Sequence, residues 1–486
     1  MAVRSRKSFT ELPERLPVDL GPVSNGEFFP LRPSDDLVAA RRRLVREVPE
    51  HARRAGMTRR ELLSSACGTA AVLLALNETG CASGGRYAVE PEAAVDPARA
   101  AAAVGGDELI FDVQTHHVEP TRDWFTRNHA FDFLARTEQA RCGAGRWLDC
   151  YSRDHFLRAV FLESDTDIAV LSALAEVPRN NPLTIEEAVR TREQIDRAGP
   201  GRLQLHGIVV PNGGPLPEQI DGMQALAERH RVAAWKLYPV WGPGGRGYWL
   251  DGPLGTAVLD QARKLGVKTV AVHKGITLPG MDSTFSQCRD IGPVARRYPD
   301  LTFLVYHAGV EFDVGEGPYD VGRALGLDSL IRSLQENDLR PGSNVYADLG
   351  AVWKILMRDP DQAAHLLGKL LLHLGEDRVL WGTDSIWFGS PQDQIEAFRA
   401  FEITPQLRER HGYPALTRDV KRKILGLNAA RVYGVNPNEV PGKLRADDLA
   451  RARAEWRDAG ADPLRALGPR SRREMIALWQ ARGGRP

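Results

Sequence analysis

From residue 108 onward, short apolar, β-branched runs alternate with longer amphipathic stretches. The runs fall at 109–114 (LIFDVQ), 167–172 (DIAVLS), 203–210 (LQLHGIVV) and 232–238 (VAAWKLY). Four more follow at 267–273 (VKTVAVH), 301–307 (LTFLVYH), 344–349 (NVYADL) and 378–383 (RVLWGT). Their near-continuous apolar character suits strands covered on both faces, and the helical stretches between them indicate parallel βαβ units. Eight such repeats over roughly 300 residues favour closure into a (β/α)8 TIM barrel over an open, doubly wound sheet.

The pattern divides the chain into an N-terminal extension (1–107), a barrel (108–436) and a charged helical tail (437–486). The extension opens with Pro13, Pro17, Pro22, Pro30 and Pro33, which predict turns and extended backbone. A helix is expected at about 35–55, and a further short helix or linker at 88–104. The connection after the first run, 115–166, is long and carries Trp124, Phe125, Arg127, His129, Trp147 and Tyr151. Loops after barrel strands build the active-site rim, so this one reads as a pocket wall or lid. The stretch 421–435 (KRKILGLNAARVYGV) reads as the closing helix.

Residues 57–81 allow two readings. Arg59 and Arg60 precede an uncharged run from Leu62 to Asn77 and then Cys81, the outline of a twin-arginine export signal. Thr58 with Glu61 three positions on is equally a capping box opening an Ala/Leu-rich helix packed on the barrel, and this reading is preferred. The run is shorter than the ~20 apolar residues of a membrane span, so no permanent span is expected and a cytoplasmic location is preferred to export.

Charge and cysteine content narrow the class. The 64 basic and 63 acidic residues nearly cancel and are scattered, which argues against nucleic acid as a partner. The five cysteines (Cys67, Cys81, Cys142, Cys150, Cys288) form no close pair, and the expectation is reduced, mostly buried thiols. Homo-oligomerisation through the extension and tail is plausible on this pattern.

Chemistry concentrates at strand ends. Gln114 and His116 close the first run at i and i+2; His273 ends the fifth, His307 the sixth, and Asp384 follows the eighth. A lone His or Asp at such a place is more often a hydrogen-bonded structural residue than a ligand. Four strand ends in one register converge on the barrel's C-terminal mouth, and imidazoles with a carboxylate are ligands for Zn²⁺ or a similar ion.

The phrases FDVQTHH, VAVHKG, VYHAG and WGTDSIW, with KLYP (236–239), YADLG (346–350) and LNAARVYG (427–434), resemble the amidohydrolase-related family of metal-dependent hydrolases and decarboxylases over about 108–436. The resemblance implies one divalent metal ion, Zn²⁺ before Mn²⁺ or Fe²⁺, held by His116, His273, Asp384 and Gln114. It implies a catalytic His307 that stabilises an oxyanion, and an Asp384 that takes a proton from water. Gln114 departs from the family's H-x-H pair, since an amide oxygen is a weak zinc ligand. His117 is a minor candidate to replace it. Lys236 falls where binuclear members carry a carboxylated lysine; with a ligand missing, an ion pair with a substrate carboxylate or Asp348 is the better expectation. Arg122 and Arg127 are further candidates for binding a substrate carboxylate.

The implied activity is hydrolysis of a C–N or C–O bond in a small molecule. Nonoxidative decarboxylation of an aromatic or unsaturated acid is the alternative. From a different class, a barrel that has lost its metal would serve as a binding or scaffold protein. The Gly-rich GPGGRG stretch (242–247) reads as a flexible loop.

Overall fold

The computed structural model describes residues 16–24, 30–79, 84–122, 147–278, 280–312, 314–438, 444–460 and 471–480. Arg127, Trp124, Phe125, His129, Cys81 and Cys142 lie outside them.

Eight parallel strands form the barrel: β1 (Phe111–Thr115), β2 (Ile168–Leu171), β3 (Leu203–Val209), β4 (Ala234–Leu237), β5 (Thr269–His273), β6 (Thr302–Tyr306), β7 (Val345–Asp348) and β8 (Val379–Leu380). Each pairs with the next in sequence order. Each of the eight expected runs overlaps one. β8 is the shortest, because Trp381 leaves the ladder and its N–H donates to Ile424 O (3.0 Å). Closure comes from three backbone bonds: Val113 N to Trp381 O (2.9 Å), Asp384 N to Gln114 O (2.9 Å) and His116 N to Ser385 O (2.6 Å).

The strands are buried on both faces, as their sequences require: every residue of β1, β2, β4, β5 and β7 is buried. Phe111, Val113, Val170, Ala271, Leu304, Tyr306 and Leu380 form one packed cluster, joined by Ala429 and Ala430. That is a filled barrel rather than a pore. The helices outside are locally specified. The helix Pro360–His373 starts with proline at its first turn and with Asp359, whose side chain accepts from Gln362 N.

In the extension, α1 (Asp35–Ala55) is followed by α2 (Arg59–Leu63) and α3 (Ala66–Thr79). The Thr58 capping box forms in full: Glu61 N donates to Thr58 Oγ1 (3.2 Å) and Thr58 N to Glu61 Oε2 (2.7 Å). Leu62, Leu63, Cys67, Val72, Leu73 and Leu76 are buried, so the twin-arginine segment is a packed element of this fold. Among the described residues no helix is long and apolar enough to cross a membrane. A two-stranded ribbon pairs Gly85–Tyr87 of the extension with Phe401–Ile403 beside the barrel. At the other end, buried Arg202 donates to both Asp447 oxygens (2.7 and 2.8 Å) and so ties the tail to β3.

The cysteines require a correction. Cys67 and Cys288 are free and buried, but Cys150 is disulfide-bonded, against the expectation of five reduced thiols. Spacing along the sequence does not show which cysteines a fold brings within bonding reach.

Candidate active site

The polar cluster sits where β1 and β8 meet. The register of β1 shifts between Asp112 and Thr115; Gln114, inside that irregularity, and His116, just after it, both line the mouth. Five non-glycine residues here adopt positive φ: Ile276 (φ 37°), His307 (φ 61°), Ala308 (φ 50°), Ala351 (φ 56°) and Asp384 (φ 60°). This conformation is costly outside glycine and collects at functional sites. The local backbone is pinned by Asp112, which accepts from Gln114 N and Thr383 N (3.1 Å each), and by Asp348, which accepts from His307 N (2.7 Å) and Gly350 N (3.3 Å).

One carboxylate oxygen gathers the cluster. Gln114 Nε2 donates to Asp384 Oδ1 (3.0 Å), and His116 Nε2 lies 3.2 Å from the same oxygen. His116 Nδ1 donates to Ser172 O (2.8 Å), which fixes the ring, and Trp387 stacks on it at 5.8 Å. His307 Nδ1 donates to Gly350 O (2.8 Å), and its Nε2 faces Gln114 Nε2 at 3.4 Å. The His273 ring meets that of His307 edge-on at 4.7 Å, while its Nε2 faces Ile276 O (3.2 Å). The absence of a side chain at Gly350 leaves room for the Gln114 amide, since a Cβ there would stand 1.9 Å from Gln114 Oε1 and displace it.

The electrostatics follow from burial. Burial alone would raise Asp384, but the His116 hydrogen bond and the neighbouring His307 and Lys236 hold it below the usual carboxylate range. Burial pushes His307 down to about 4 and His273 well below its ordinary value, so both rings are neutral at pH 7. Lys236, inside the barrel on β4, has its Nζ 3.4 Å from the Tyr306 ring centroid and without a hydrogen-bond partner. Burial lowers its pKa against the pull of Asp348 and Asp384, and burial raises that of Asp348.

Gln114, His116, His273, His307 and Asp384 therefore share one small cavity of about 30 Å³, walled by apolar residues that include Leu174, Met281 and Trp387. Two other candidates stand elsewhere. His117 points away, against Phe156, with hydrogen bonds to Thr191 Oγ1 (2.9 Å) and Val118 O (3.2 Å). Alternation along the chain sends it to the opposite face from His116. Arg122 donates to Asn181 O (2.9 Å) and Arg179 O (3.0 Å) and borders a separate cavity of about 960 Å³. Arg127 lies outside the described residues. Sequence reasoning missed His206 on β3, buried between Ser172 Oγ (2.8 Å) and Tyr433 Oη (2.8 Å), and the bracing role of Asp112. Both sat in view, in LQLHGIVV and FDVQTHH, as polar residues inside apolar runs.

Among the described residues, no three His, Cys, Asp or Glu side chains lie close enough together to hold a metal ion. His116 and Asp384 are in contact, but His273 does not join them closely enough to complete such a group, and the first strand adds an amide, Gln114, in place of an imidazole or carboxylate. The donor chemistry still fits a divalent ion. His116 and His273 offer imidazoles, Asp384 a carboxylate, and Gln114 Oε1 is a buried oxygen with no hydrogen-bond partner.

A closed (β/α)8 barrel with its polar cluster at the C-terminal mouth defines an enzyme scaffold of the amidohydrolase kind. The chain belongs to the amidohydrolase family, whose profile it matches over residues 126–435. That family is metal-dependent, and the match begins after Gln114 and His116. No curated protein matches the chain. Similar solved structures include 5-carboxyvanillate decarboxylase from Sphingomonas paucimobilis (16% identity, 68% of this chain and 99% of that one, TM-score 0.40). Another is 4-oxalomesaconate hydratase from Rhodopseudomonas palustris (16% identity, 72% and 100%, TM-score 0.42). A third is a dihydroxybenzoic acid decarboxylase from a Polaromonas species with bound manganese and an inhibitor (14% identity, 67% and 97%, TM-score 0.39).

Proposed function

We propose that the barrel mouth is a mononuclear metal-dependent hydrolase site acting on a C–N or C–O bond of a small molecule. The observation that carries this reading is the convergence of Gln114 Nε2 and His116 Nε2 on Asp384 Oδ1, at 3.0 and 3.2 Å, beside two neutral histidines. His116, His273, Asp384 and Gln114 would hold one divalent ion, Zn²⁺ before Mn²⁺ or Fe²⁺. When bound, it supplies Lewis acidity to the scissile carbonyl and acidifies water toward a pKa of about 7.

The residues themselves divide the proton work. With Nδ1–H committed to Gly350 O, neutral His307 presents a lone pair at Nε2. It therefore takes a proton from the attacking water, and only then can Nε2–H donate to an oxyanion or leaving group. That reverses the order expected from sequence, where Asp384 takes the proton. Asp384, held ionised, serves better as a ligand and as the anchor of the His116 and Gln114 side chains. The apolar wall of Leu174, Ile276, Leu278, Met281 and Trp387 expels water and suits an apolar or aromatic substrate part. The same wall supports decarboxylation of a ring acid as the second reading.

Metal per chain, measured by mass spectrometry on protein purified without chelators, tests the reading. About one ion in the native protein, lost in His116→Ala and Asp384→Asn, supports it. Native protein that stays empty after supplementation with Zn²⁺ and Mn²⁺ overturns it and leaves the scaffold reading.

A further inference from the structure

The family match leaves out the extension, yet the extension reaches the site through one continuous segment, residues 348–361. At its start, Gly350 O accepts from His307 Nδ1 (2.8 Å), and the Gly350 backbone lies against the Gln114 amide. Ala351 then leads, at positive φ (56°), into the short helix Val352–Leu356. Every residue from 351 to 358 is buried.

At its end, the segment is held by the extension at separate points. Tyr87 Oη donates to Met357 O. Buried Arg358 donates from Nη1 to Gly21 O (2.6 Å). Gly84 N and Gly85 N donate to Asp361 Oδ1 (2.8 and 3.3 Å), and Gly85 passes so close to Pro360 that a Cβ would stand 2.1 Å from its carbonyl oxygen. Tyr87 is itself fixed from α3, because Asn77 Oδ1 accepts its N–H (2.7 Å) and Asn77 Nδ2 donates to its carbonyl (2.7 Å). Paired hydrogen bonds of this kind lock a backbone position in both directions.

We infer that the extension is a working part of the barrel mouth: through Tyr87 and Gly21 it holds residues 349–358 so that the Gly350 carbonyl fixes the tautomer and direction of His307. Tyr87 and Arg358 are positioning residues, distant from any reacting atom, that act through Gly350. A buried segment tied at both ends has few alternative placements, whereas release of one end admits sliding of the short helix. The catalytic role of His307 rests on the hydrolase reading; the mechanical link does not.

The test uses the full chain carrying Tyr87→Phe, and separately Arg358→Met in case one variant fails to fold. Hydrogen exchange of peptides covering 349–358 is compared with the rest of the chain. Histidine tautomers are read by ¹⁵N NMR, with His307→Gln identifying the His307 signal. Loss of one buried hydrogen bond is expected to raise exchange in 349–358 by about ten-fold while other barrel segments keep their protection. The His307 signal is expected to shift from the single Nδ1–H form to a mixture. Unchanged exchange and an unchanged tautomer in a folded variant overturn the inference, as does a uniform rise in exchange along the chain. Neither readout needs metal or substrate, so an empty or inactive protein would sink the hydrolase reading and leave this one standing.

Discussion

Gln114 Nε2 donates to Asp384 Oδ1 across 3.0 Å, at the seam where the first and last barrel strands close. An amide stands here where the family's pattern has an imidazole, so its nitrogen satisfies the carboxylate without bringing a strong ligand. Gln114→His restores the two-imidazole pair with His116. Zn²⁺ affinity, measured by competition with a chromophoric chelator, is expected to tighten at least about ten-fold. No gain in a correctly folded variant would mean that the seam is not a metal site.

Asp384 and His307 touch the same amide but are assigned different work, and two substitutions separate them. Asp384→Asn is expected to lose the metal and all turnover. His307→Gln is expected to retain the metal and lose about 10²–10⁴ in rate, the usual share of a proton-transfer group. Metal content and turnover of a hydrolysable substrate are measured on the same preparations. Retention of metal in Asp384→Asn would contradict the ligand assignment, and an unaltered rate in His307→Gln would remove it from the reaction.

The barrel was legible because both faces of each strand are buried, leaving near-continuous apolar runs such as TVAV before His273. The site was legible in part because strand ends share a register, so Gln114, His116, His273, His307 and Asp384 come together in one cavity. What escaped depends on contacts between distant segments. Nothing local in LQLHGIVV shows that His206 will meet Ser172 and Tyr433, or in HVEPTRD that Arg122 will turn to the carbonyls of Arg179 and Asn181. The contact that sets the His307 tautomer also escaped, because it hangs on one carbonyl, that of Gly350, brought to His307 Nδ1 beside a positive-φ residue, Ala351.

His117 makes acid stability measurable. Burial against Phe156 lowers its pKa to about 3 from 6.5, so the unfolded chain binds a proton that the folded one refuses. Stability therefore falls as pH drops below 6.5, at about 1.4 kcal/mol per unit, until the folded ring also protonates near pH 3. Urea denaturation between pH 7 and 4.5 reads this contribution as a difference: the slope of His117→Leu should be smaller than that of the wild type by about 1.4 kcal/mol per unit, while the other buried groups, His206, His273, His307, Asp112 and Asp348, contribute alike to both. Equal slopes would mean that the ring reaches solvent on protonation.

The Cys150 disulfide leads to a count. The chain has five cysteines and one disulfide uses two, so alkylation of the unreduced, denatured protein should modify three and leave two protected. In the native state Cys67 and Cys288 should react slowly, since both are buried and burial raises each thiol, that of Cys288 to about 12, which leaves almost no thiolate. Intact-mass measurement after each treatment gives the numbers directly. The result also bears on where the chain folds, because a disulfide persists in an oxidising compartment and is reduced in a cytoplasm. Three modified cysteines in protein taken from its native cell under acid quench would favour export, with the twin-arginine helix kept as part of the fold. Five would favour the cytoplasm and make the Cys150 bond a product of air oxidation.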